Sequence, residues 1–165
     1  MNTIHTIPCE ENATPAKGQT KRVFHVREVT AKYSGVRRVS VKIREPDDVG
    51  KFARRVAKDN SREHFVAMYL DGAHQVVSYS IVTTGTATST HVHPREVFQH
   101  AVLVGAAAIT VAHNHPSGNL EPSDEDRQVT KVLVEAGKLM GIQILDHVIF
   151  SDLGQISLKE RGYIS

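Results

Sequence analysis

The sequence predicts an α/β fold in which helices flank a mixed sheet in three α/β/α layers, and three patterns predict it. Strand-like apolar runs alternate with amphipathic helical stretches over most of the chain. The run AAAITVAH is apolar without alternation and ends at a histidine, as a central strand buried on both faces would. Two earlier strand-like runs are separated by Asp71-Gly72, a hairpin signal that adds an antiparallel pair.

The elements follow in order. Residues 1–20 mix Pro, Gly, Thr, Asn and Glu without periodicity and are expected to form a flexible tail, followed by a basic lead-in over 21–45. Val39, Val41 and Ile43 alternate with polar residues like a half-buried strand. Pro46 opens a helix whose Val49, Phe52, Ala53 and Val56 recur at spacings of three and four. After Asn60, HFVAMYLDG reads as a buried strand and HQVVSYSIVT as its hairpin partner. Pro94 starts a second helix with Val97, Ala101 and Val104 on one face, and AAAITVAH follows as the central strand. The polar loop NHPSGNLEP leads to the longest helix, begun by Ser123, where Val129, Val132, Leu133, Ala136 and Met140 make one stripe. IQILDHVIF is a further strand, and the QISLKERGY tail packs at an edge.

With 165 residues, the chain has room for one domain of ordinary globular composition over residues 46–165. No apolar run approaches the roughly 18 residues a membrane span needs. The N-terminus has no signal-peptide pattern, so an intracellular, cytoplasmic protein is expected. Cys9 is the single cysteine, which excludes an internal disulfide and a multi-thiolate zinc site and leaves His and carboxylates as metal ligands.

Charge is unevenly placed. From Lys17 to Arg44 nine basic residues stand against one acid, Glu28, whereas the rest of the chain has an acidic excess. A basic arm of this kind admits contact with nucleic acid through residues 17–44, by neutralising phosphates, although a solvated lead-in is the commoner reason for such a run.

The segment from His113 to Asp126, HNHPSGNLEPSDED, carries the chemistry. Residues two apart at a strand end point to the same side, so His113 and His115 can reach one ion. Asp126 falls in the first turn of the following helix, where the helix dipole favours a carboxylate. Two imidazoles and one carboxylate make three protein ligands, which on zinc leaves a fourth position for water. Each feature has a plainer explanation when taken alone: Ser123 with Asp126 is also an N-capping pair, and strand-end histidines often bond backbone. The whole set in one short segment points to a metal. A second H-x-H-P at His91, His93 and Pro94 serves as a control. The offsets that lead from His115 to Ser123 and Asp126 lead from His93 to Ala101 and Val104, so this copy completes no site and His93 reads as a loop or capping residue. His147, after Asp146, reads as a satisfied histidine of the core or surface.

H-x-H, seven residues, Ser, two residues and Asp resembles the signature of the JAB/MPN (JAMM) zinc metalloproteases. HNHPSG with the later PS..D and the upstream VHPREV resembles the RadC family within that group, over about residues 46–164. The resemblance implies a cytidine-deaminase-like fold, with Zn2+ held by His113, His115 and Asp126 and with Ser123 assisting the developing oxyanion. It also implies a general base at the junction of the first helix and first core strand, which here is Glu63; Glu96, in the first turn of the helix at Pro94, is the runner-up. The implied activity is hydrolysis of peptide or isopeptide bonds in a protein or peptide substrate, and the alternative is a DNA-repair-associated, nucleic-acid-binding protein. Full-length RadC proteins carry an N-terminal helix-hairpin-helix module, whose pattern is not visible in the first 45 residues here, so a stand-alone form is expected. Zinc deaminases, which need H-x-E with C-x-x-C, and helical zincins, which need H-E-x-x-H, are excluded.

Overall fold

The computed structural model describes residues 41–85 and 92–164. The expected tail, most of the basic lead-in, residues 86–91 with His91 among them, and residue 165 lie outside the described residues. The elements run α1 (Pro46–Val56), β1 (Glu63–Leu70), β2 (Val76–Gly85), α2 (Pro94–Val104), β3 (Ala108–Asn114), α3 (Asp124–Met140), β4 (Gln143–Ser151) and β5 (Gly154–Ser157). The sheet order is β2-β1-β3-β4-β5. Only β3 and β4 are parallel; β1 is antiparallel to both its neighbours, and β5 is antiparallel to β4 at the edge. This is the mixed sheet the alternation of elements predicts, with AAAITVAH at its centre and every residue of β3 buried.

The two sheet faces are covered separately. Val49, Phe52 and Ala53 of α1 pack on Val66, Met68, Ala112, Val148 and Phe150. On the other face Val97, Phe98 and Ala101 of α2 and Leu133 of α3 pack on Phe65, Tyr69, Ile109, Val111 and Ile144. Alternate residues of β1 and β3 therefore serve opposite cores, which is why these strands read as continuous apolar runs.

Two local expectations change. Among the described residues, the strand expected around Val41 and Ile43 is a single antiparallel bridge, Lys42 to Gln75. Ile43 donates its N–H to His74 O at 2.9 Å, but Arg44 N turns to the Asp48 carboxylate at 2.9 Å and Pro46 opens α1, which ends the ladder. The β1–β2 connection is also longer than the Asp-Gly turn implies. The Asp71 carboxylate accepts from both Ala73 N and Gln75 N at 2.9 Å, and His74 adopts φ 61°, so the side chain of Asp71 organises the loop.

α1 is fastened to the far edge of the sheet by Arg54. Its guanidinium donates to Ser151 O, Gly154 O and Gln155 Oε1 and lies over the Phe150 ring. On the opposite face α3 presses close to β4 at Gly137, where a Cβ would come 2.6 Å from the Ile142 carbonyl. Gly137→Ala should therefore destabilise the fold by about 1–3 kcal/mol in denaturant unfolding, since the obstacle is backbone. Gly72→Ala, which meets nothing within 4 Å, should stay within about 0.5 kcal/mol of the parent. Equal effects of the two would contradict this packing.

Candidate metal centre

The site lies where β3 ends, β1 begins and α3 starts. His113 is the penultimate residue of β3, and although Asn114 closes the strand, His115 N still donates to Phe150 O at 3.2 Å. The extended backbone thus continues for one more residue before Pro116 removes the next donor, and both imidazoles point the same way. Asp126 reaches them from α3. Ser123 caps that helix: its Oγ accepts from Asp126 N at 3.1 Å while Asp126 Oδ2 accepts from Ser123 N at 2.8 Å. The same carboxylate that completes the cap faces the histidines.

One ligand atom from each of His113, His115 and Asp126 lies within 4.8 Å of the others. His113 Nε2 is 3.0 Å from Asp126 Oδ1 and 2.9 Å from His115 Nε2, and His115 Nε2 is 3.4 Å from Asp126 Oδ2. With zinc bonds of about 2.0 Å the edges of a tetrahedron are about 3.3 Å, so these separations suit one ion. The donor chemistry agrees. His115 Nδ1 is 2.7 Å from the Asn119 carbonyl, which can only accept, so a neutral His115 keeps its lone pair on Nε2, inside the cluster. A lone pair facing a carboxylate calls for a cation or a proton between them. The residues present fit a divalent ion such as zinc.

The electrostatics report the same convergence. Burial alone would raise the Asp126 carboxyl, but the His113 and His115 imidazoles beside it and the Ser123 hydroxyl that donates to it hold it well below the usual carboxylate range. His115 is raised, first by its hydrogen bond to Asp126, with burial opposing; the Asn119 carbonyl and the charges of Asp126 and Glu63 add to the rise.

A cavity of about 1140 Å³ opens on the cluster, lined by Glu63, His115, Ser123 and Asp126 and by the apolar Phe65, Val92, Val129 and Val132. Glu63 is the first residue of β1 and half-buried. Its backbone is clamped by Asn114, whose Oδ1 accepts from His64 N at 2.7 Å and whose Nδ2 donates to Arg62 O at 2.8 Å, one bond on each side of Glu63. Glu96 is exposed in the first turn of α2 and is not in the cavity wall among the described residues. Ser123 Oγ donates to Asp126 Oδ2 at 2.7 Å, so its hydroxyl proton is held by the carboxylate. His93 caps α2 by accepting from Arg95 N at 3.1 Å.

Two buried side chains stand behind the cluster: His147, a satisfied core histidine whose contact with His113 the sequence does not show, and Thr130, which the sequence does not single out. His147 is completely buried, and burial, with His113 and His115 adding to it and Asp126 opposing, pushes its pKa well below the ordinary histidine value. It contacts His113 and Thr130. Thr130 is buried on α3 one turn after Asp126. The available signal was a polar ring in the otherwise apolar strand around Val148 and Ile149. It becomes meaningful only once β4 is known to lie beside β3, with His147 opposite Val111 and so on the face His113 uses.

Comparison with known proteins fits this geometry. The RadC-like JAB domain model matches residues 43–163. A UPF0758 protein of Geobacillus sp. (strain WCH70) is 46% identical over 122 residues, which cover 74% of this chain and 54% of that protein. The UPF0758 protein of Geobacillus kaustophilus (strain HTA426) is 47% identical over the same shares. The UPF0758 protein of Methanococcoides burtonii is 44% identical over 124 residues, 75% of this chain and 54% of that protein. The chain spans about half the length of the curated relatives it matches. The matched span takes in all eight elements and every residue of the cluster, and the chain belongs to the RadC-like JAB domain family.

Proposed function

We propose that this domain is a zinc-dependent hydrolase of peptide or isopeptide bonds, with His113, His115 and Asp126 as the metal ligands and Glu63 as general base. The observation that carries the reading is the meeting of three ligand atoms at the wall of a cavity that also contains a separate carboxylate, Glu63. Structural metal sites are closed by four protein ligands, whereas three ligands beside a cavity leave room for water and substrate. A zinc ion bound there supplies a Lewis acid and a water acidic enough to ionise near neutral pH.

The chain's own residues do the rest. The Glu63 carboxylate takes a proton from water and returns it to the leaving amine, and the two Asn114 hydrogen bonds on either side fix where it stands. Ser123 orients Asp126 through the capping box; its hydroxyl turns toward a tetrahedral oxyanion when Oδ2 of Asp126 has another partner. Phe65, Val92, Val129 and Val132 exclude water from one side of the cavity and give an apolar side chain of the substrate a place to lie.

Asp126→Ala should lower the zinc content of the purified full chain, read by elemental analysis; unchanged stoichiometry would remove Asp126 from the ligand set. Because Asp126 also completes the α3 cap, Asp126→Asn, which keeps a side-chain acceptor, separates loss of the ligand from loss of the cap. Glu63→Gln should retain zinc and hold an uncleaved protein substrate, with hydrolysis lowered by about 10²–10⁴-fold. Loss of metal in Glu63→Gln would make Glu63 a ligand and not a base.

A further inference from the structure

His113 Nδ1 and His147 Nε2 lie 2.7 Å apart, so one of these nitrogens carries the hydrogen between them. Thr130 decides which. Its hydroxyl donates its single proton to the backbone carbonyl of Asp126, one turn back along α3, at 2.5 Å. The same oxygen is 2.6 Å from His147 Nδ1. A hydroxyl whose proton is committed can only accept, so His147 Nδ1 carries a hydrogen. His147 is wholly buried and its ring nitrogens meet a hydroxyl and an imidazole and no carboxylate, so the ring is neutral; protonated at Nδ1 it has its lone pair at Nε2, and the hydrogen between the rings belongs to His113 Nδ1. His113 Nε2 is then left as a lone pair, 3.0 Å from Asp126 Oδ1 and 2.9 Å from His115 Nε2.

We propose that His147 is a positioning residue for the metal centre: with Thr130 it fixes His113 as the Nδ1–H tautomer and thereby sets the affinity of the cluster for a divalent ion. The chain of hydrogen bonds starts and ends on Asp126, whose carbonyl receives the Thr130 proton and whose carboxylate faces the lone pair that results. The position is built for this. His147 and Thr130 are almost wholly buried on different elements, and a ring with two nitrogens in an apolar layer is costly unless both are bonded, as they are here. Phe65 packs its ring on both His113 and His147, which holds the pair in register.

The affinity half of the proposal rests on the metal-centre reading; the tautomer half does not. The test uses the full chain with His147→Ala, His147→Gln and Thr130→Val. Zinc affinity is measured by competition with a chelator, His113 protonation by two-bond nitrogen–proton correlation in the metal-free protein, and folding by circular dichroism. His147→Ala should weaken zinc binding by about 10- to 100-fold. His147→Gln, whose amide oxygen can still accept from His113 Nδ1–H, should recover much of that loss, and the parent should show His113 protonated on Nδ1. Should His147→Ala not fold, Thr130→Val decides: it removes the acceptor for His147 Nδ1–H and should bind zinc more weakly than both the parent and His147→Gln. A zinc affinity within about twofold of the parent in folded His147→Ala, or in folded Thr130→Val where His147→Ala does not fold, or a hydrogen on His113 Nε2 in the parent, would overturn the proposal. A parent that takes no zinc would overturn the metal-centre reading and the affinity half together, while the nitrogen spectra still judge the tautomer.

Discussion

Two imidazole nitrogens 2.9 Å apart, each within 3.4 Å of an oxygen of one carboxylate, repel unless something positive lies between them, and this chain is built to hold them there. The capping box at the start of α3 fixes Asp126 whether or not an ion is present. The parallel ladder between β3 and β4 fixes the direction of His113, and its extension through His115 N fixes the next imidazole. Each holding interaction would exist in an ordinary α/β protein. Their meeting at one point makes an ion-sized site.

The rigidity of this corner comes from joining elements far apart in the chain. Asn114, between the two histidines, is bonded to the backbone on both sides of Glu63, so candidate ligands and candidate base move as one body. Asp146, next to His147, is buried; its Oδ1 accepts from His147 N, Ser157 Oγ and Lys159 N, tying β4 to the segment after β5. Burial raises the Asp146 carboxyl, and these three donors oppose the rise. Functional sites need such support because a misplacement of about 1 Å is enough to disable them.

Much of this was legible in the residues. Period-3.6 patterns locate all three helices, each burying one face, and apolar runs bounded by turn signals locate the four longer strands, of which β1 and β3 are buried on both faces. The offset from His115 to Asp126 identifies the cluster because the loop between them is short and Ser123 starts a helix. What was not legible depends on sheet order. Asn114 reads as a loop residue until β1 is seen to run antiparallel beside β3. His147 reads only as a satisfied histidine of the core or surface, and its place behind His113 appears once β4 lies next to β3; Thr130, outside the apolar stripe of α3, meets it only when that helix is laid across them. The hairpin turn at Asp71-Gly72 was legible, but not that the Asp71 carboxylate organises a loop running on to Gln75.

The central claim is that two imidazoles and one carboxylate bind a single zinc ion and leave one position open. X-ray absorption at the zinc edge of the purified full chain tests it most directly. The account predicts four light-atom ligands at about 2.0 Å with the multiple-scattering signature of two imidazoles. Sulfur at about 2.3 Å, a single imidazole, or a full set of protein ligands with no exchangeable oxygen would contradict it.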